Sequence, residues 1–125
     1  MDRRTALRLG STALLGTLAG CGDVSDPDVT VEVGPDGDAV FAPGTAAPVG
    51  VTPGATVQFV WRSDGHNVVV ANRPAAADWR GTAGSPETLY DTGHVHEHTF
   101  ETPGTYEYHC EPHEATGMTG RIVVE

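Results

Sequence analysis

Nine consecutive residues near the C-terminus, Cys110-Glu-Pro-His113-Glu-Ala-Thr-Gly-Met118, place a thiol, an imidazole and a thioether on one short loop at C-x2-H-x4-M spacing. Thiolate and thioether sulfur both favour copper, and imidazole suits either of its oxidation states. Structural zinc sites take four Cys or His donors and have little use for a thioether. A nucleophilic cysteine needs a histidine base brought up by the fold and has no need of the methionine. Three donors leave a trigonal site one ligand short. His66, in Gly65-His66-Asn67-Val68-Val69-Val70, is the candidate for the missing one.

These donors need strands to position them, and the chain supplies strand patterns. Val29, Val31 and Val33 alternate with Thr30 and Glu32, and Val57, Phe59 and Trp61 alternate with Thr56 and Gln58 after the turn pair Pro53-Gly54. Tyr106, Tyr108 and Cys110 alternate with Thr105, Glu107 and His109 after Thr102-Pro-Gly-Thr105, and Ile122 and Val124 close the chain. This period of two marks half-buried strands. No stretch past the N-terminal segment holds a 3.6-residue apolar period, and 16 Gly and 9 Pro oppose long helices. The expectation is an all-β sandwich with little or no helix. Parity turns Cys110 inward with Tyr106 and Tyr108, and turns His66 inward with Val68 and Val70. Pro112 stiffens the loop, while Gly117 permits a sharp return before Met118. Residues 72–91 read as an ordered loop region crossing one side of the sandwich, with at most one helical turn over Ala75–Trp79.

The pattern His66-Asn-Val-Val, then Tyr-x-Tyr-x-Cys110-x-Pro-His113-x4-Met118-x-Gly, resembles the plastocyanin branch of the type 1 blue copper proteins, and in particular their archaeal, membrane-associated halocyanins. The likeness covers roughly residues 29 to 125. It implies a cupredoxin-type Greek-key β-sandwich and one type 1 copper ion held by His66, Cys110, His113 and a weak axial Met118. It also implies a hydrogen bond to the Cys110 sulfur from the Asn67 backbone, and electron exit through an exposed His113. No position is left for a substrate, so the expectation is an electron carrier and not an enzyme. Its partners would be redox proteins, reached as a monomer. The competing reading is a module that stores or delivers Cu(I).

Four other histidines need an account. Parity turns His109 outward, as a solvated residue beside the copper cysteine. His94, His96 and His98 share one strand face with Phe100, which suits rim or satisfied core positions better than a second metal site.

The N-terminus reads as a targeting segment. Arg3, Arg4 and Arg8 precede a short apolar run from Leu9 to Ala19, too short and glycine-rich to span a bilayer. The arginine pair resembles a twin-arginine signal, and Leu18-Ala-Gly-Cys21 resembles a lipobox. Residues 1–20 are thus the expected export signal, Cys21 the expected lipid attachment site, 21–28 a tether and 29–125 the copper domain. The mature chain would then be anchored to the outer face of the cytoplasmic membrane without spanning it. A Cys21–Cys110 disulfide is the simplest use of two cysteines in an exported chain, but each has the better assignment given above.

The charge is strongly acidic, with 17 Asp and Glu against 7 basic residues, all arginine, for a net −10. Removal of residues 1–20 leaves 16 acids and 4 arginines, near −12. Such a surface repels phosphate backbones and excludes nucleic acid as a partner. The absence of lysine beside so many carboxylates fits a salt-adapted protein, in keeping with the halocyanin resemblance.

Overall fold

The computed structural model describes residues 26–125; the expectations for the export signal and for Cys21 fall outside them. Eight strands follow in order: β1 (Val29–Val33), β2 (Phe41–Ala42), β3 (Val49–Val51), β4 (Ala55–Trp61), β5 (Val69–Asn72), β6 (Val95–Phe100), β7 (Gly104–His109) and β8 (Thr119–Val124). They form two four-stranded sheets, ordered β2-β1-β4-β6 and β3-β8-β7-β5. β1 runs parallel to β4 with Val31 opposite Phe59, and β3 runs parallel to β8. The other pairings are antiparallel. The expected sandwich is what forms.

Alternation sets the core. Ala55, Val57, Phe59 and Trp61 are the buried residues of β4, and Tyr106 and Tyr108 those facing inward from β7. Val31, Val33, Phe100, Ile122 and Val124 complete the two inner faces.

Trp79 joins this core from a loop. The segment after β5 forms a turn at Ala75–Ala76 and no helix, so the helical turn allowed for above does not form. Arg73 holds the segment by donating to the carbonyls of Ala77 (2.9 Å) and Trp79 (3.2 Å). The Trp79 ring is 1% exposed and has Phe59, Phe100, Tyr106 and Tyr108 within ring-centroid distances of 5.0–6.2 Å. Its Nε1–H donates to His96 Nε2 at 3.1 Å, which satisfies the indole donor inside the sandwich. Truncation of such a ring costs about 3–5 kcal/mol.

The Trp79 bond also requires a neutral His96. Burial, and then the charges of His98 and His94, lower its pKa from 6.5 to about 4. The unfolded chain takes up this proton near 6.5, so stability from this group is complete above that value and is lost as pH falls towards 4. In metal-free protein this removes about 2 kcal/mol between pH 7 and pH 5. His96→Gln should shrink the loss over that interval by a similar amount, measured by chemical denaturation. An unchanged slope would count against the assignment.

Candidate metal centre

The metal-binding loop closes on itself through the backbone. Cys110 directly follows β7, a 3-10 turn covers Glu111–Thr116, and Met118 stands directly before β8. The Cys110 N–H donates to the Met118 carbonyl (3.0 Å), the Met118 N–H to the His113 carbonyl (3.1 Å) and the His113 N–H to the Cys110 carbonyl (3.1 Å). Gly117 turns the chain at φ 97°, a left-handed conformation that a side chain would strain. Three donor-bearing residues are thereby fixed relative to one another by main chain alone.

His66 arrives from the opposite side, in the segment between β4 and β5. Its N–H and C=O exchange bonds with Tyr90, and its carbonyl also accepts from the Trp61 indole at 2.9 Å. The imidazole Nε2 meets Ser63 Oγ at 2.8 Å, and that hydroxyl donates to the Gly34 carbonyl at 2.7 Å. A hydroxyl has one proton, so Ser63 accepts from Nε2–H and the Nδ1 lone pair is left facing the sulfur. Gly34 is held at φ 69°, and a Cβ there would collide with both Ser63 Oγ and His66 Nε2. The turn after β1 thus fixes the orientation of His66.

The expected donors converge. Cys110 Sγ lies 3.4 Å from His113 Nδ1 and 3.7 Å from His66 Nδ1. Such separations suit one small ion with bonds of about 2.0–2.3 Å. Cys110 and Met118 are fully buried and His66 is 3% exposed, whereas His113 is half-buried. One soft thiolate, two imidazole nitrogens and a thioether in a shell closed to water are donors that copper favours.

Electrostatics bear on the protonation of these ligands. Burial pushes the Cys110 thiol above its ordinary range, the backbone N–H groups of Asn67 and His113 oppose this, and the Glu111 charge adds to it. Burial foremost, and then the charge of His113, lowers the pKa of His66, with Asp64 opposing. A neutral imidazole is the form that ligates.

Asn67 does more than its backbone suggested. Its side chain is fully buried, donating from Nδ2 to the carbonyls of Pro86 (2.8 Å) and Thr88 (3.1 Å) and accepting from the Glu111 N–H (2.9 Å). Its place directly after a ligand histidine was the only signal for this role.

His109 corrects an expectation. It is not solvated but 9% exposed, and its Nε2 lies 2.8 Å from Glu111 Oε1. The acid-bearing turn after Cys110 folds back over the ring and shields it. His94, His96 and His98 stay apart as chemistry: His94 stacks on Tyr90 with centroids 4.0 Å apart, His96 serves Trp79, and His98 packs edge-on to Phe100.

Residues 29–125 match the model of the copper binding proteins of the plastocyanin/azurin family. The chain belongs to this family. It is 37% identical over 101 residues to plastocyanin of Scenedesmus fuscus, covering 78% of this chain and 100% of that one. It is 36% identical over 110 residues to halocyanin of Natronomonas pharaonis, covering 80% of this chain and 63% of that one. Among solved structures, oxidised plastocyanin from Dryopteris crassirhizoma superposes with a TM-score of 0.61 at 28% identity, over 77% of this chain and 99% of that chain. The cupredoxin β-sandwich and a copper cofactor follow, with His66, Cys110, His113 and Met118 arranged as a type 1 copper site. Copper-based electron transfer is the general activity of the family.

The Ser63 bridge gives a test of this geometry. Ser63→Ala should weaken copper affinity about tenfold or more, the scale on which such orienting groups act, while Ser63→Thr should restore most of it. Competition against a chelator measures both. Equal affinity in the alanine variant would show that Ser63 does not position His66.

Proposed function

We propose that this cupredoxin is a one-electron carrier, not an enzyme, working from a lipid anchor at Cys21 on the outer face of the cytoplasmic membrane and passing electrons between redox proteins. His66, Cys110, His113 and Met118 are its metal ligands in this reading. The observation that carries it is the closed shell: two ligands are fully buried, a third is 3% exposed, and only the His113 ring reaches towards solvent. An electron can leave through that ring, while a substrate has no route to the centre.

Copper held in this set supplies a one-electron Cu(II)/Cu(I) couple. The protein's part is to present nearly one geometry to both states, through a loop locked by its own backbone and a His66 locked through Ser63 and Tyr90. A trigonal set with a weak fourth donor satisfies neither state fully, so little has to move when the electron does. Hydrogen bonding to the Cys110 sulfur then tunes the potential. Partners dock on the loop around His113, where Pro112, Ala115 and Gly117 are exposed and uncharged.

Cupric ion added to the full chain should produce an intense blue band that bleaches reversibly on reduction, and Cys110→Ser should abolish it. Colourless, readily exchanged Cu(I) would favour the delivery reading instead. A blue Cys110→Ser protein would overturn the ligand set. For the anchor, intact-mass measurement of membrane-fraction protein should find a chain beginning at a lipidated Cys21. An unmodified Cys21 in that fraction would remove the anchor from the proposal.

A further inference from the structure

His109, buried where a solvated side chain was expected, belongs to a second group of donors. His109 Nε2 lies 2.8 Å from Glu111 Oε1 and 3.8 Å from Glu114 Oε1, and the three donor atoms all fall within 4.8 Å of one another. Apart from the copper ligands, this is the group among the described residues that meets such a limit. The histidine side chain is 11% exposed, whereas the two carboxylates are 42% and 57% exposed. A fixed nitrogen is thus faced by two carboxylates that are free to adjust by rotation.

The surroundings favour a cation. Glu114 and His109 line one wall of a cleft of about 480 Å³, which leaves room for waters to complete a coordination shell. Arg121 lines the same cleft, but its guanidinium is engaged by Glu107 at 3.2 Å and leaves the two carboxylates uncancelled. His109 Nδ1 is buried with no hydrogen-bond partner among the described residues, so every polar contact of the ring is made on the carboxylate side. An imidazole nitrogen with two carboxylate oxygens suits a borderline divalent ion such as zinc or Cu(II), and not a hard ion that takes oxygen alone. The unpartnered Nδ1 means that nothing behind the ring reinforces its basicity, which keeps the affinity below that of a fully supported site.

We propose that His109, Glu111 and Glu114 form a second, weaker site for a divalent cation of the zinc class, one residue along the chain from the copper-binding thiolate. A cation there adds positive charge beside Cys110. It favours the reduced state of the copper and raises its midpoint potential, a consequence that rests on the copper reading above. The site itself does not rest on it.

The test is calorimetric titration of the copper-loaded full chain with zinc, with the blue band followed in parallel. One further equivalent of zinc should bind while the band persists. Glu114→Gln should weaken that binding at least tenfold, and His109→Gln should do the same. The potential should rise on zinc addition in the parent protein and move much less in Glu114→Gln. No zinc uptake would reduce the group to a histidine–carboxylate hydrogen bond and overturn the proposal. Uptake indifferent to both variants but lost in His94→Gln or His98→Gln would move the site to β6, with the same result. Bleaching of the band would assign the zinc to His66, Cys110 and His113, again against the proposal. Zinc bound with an unshifted potential would overturn the coupling. Failure of the copper reading is separately visible as a missing blue band before any zinc is added.

Discussion

Three loops meet at the side chain of Asn67, and the metal centre depends on that junction. A buried amide left without partners costs about 1–3 kcal/mol for each polar group stranded away from water. Asn67 avoids this by reaching Pro86 and Thr88 in one loop and the Glu111 N–H in another. This arrangement of the loops satisfies the amide, and in it His66 and Cys110 face each other. The Asn67 backbone N–H also opposes the upward shift of the Cys110 thiol, so one residue bears on both the position of the ligands and the charge of the sulfur.

Much of the centre was legible because strand parity and loop spacing are local rules. Tyr106, Tyr108 and Cys110 had to share a face, and Cys110, His113 and Met118 had to share a loop. His66 was legible by the same parity. What sequence did not disclose are contacts across long separations. Trp79 looked like part of a crossing loop, yet it fills the middle of the sandwich, since nothing local says that a loop tryptophan will find four aromatic rings. Ser63 and Gly34 lie 29 residues apart and meet only because β1 and β4 run side by side. His109 failed for a different reason: parity correctly took it off the core face, but the following turn then covered it.

The centre and the surface obey opposite electrostatic rules. The interior ligands are held near neutrality by burial, which raises the thiol and lowers His66. Binding a cupric ion therefore displaces a proton from Cys110 and leaves the site with a single net positive charge, which reduction to Cu(I) removes. The surface instead carries the excess of carboxylates, whose mutual repulsion opposes compactness and is screened by salt. A dry, locally neutral site within a strongly acidic shell lets ionic strength act on folding and encounter while leaving the ligand geometry alone.

β1 has a further consequence through its direction. It begins at Val29, after Asp28, which bonds to Thr56 at the start of β4, and it ends at Val33, before Gly34, whose carbonyl steadies the hydroxyl behind His66. Five residues of extended chain, roughly 16 Å, separate those ends. Any leash attached through residues before 29 therefore grips the domain at the pole opposite His113. A domain held that way would present the half-buried His113 ring on the side away from its point of attachment.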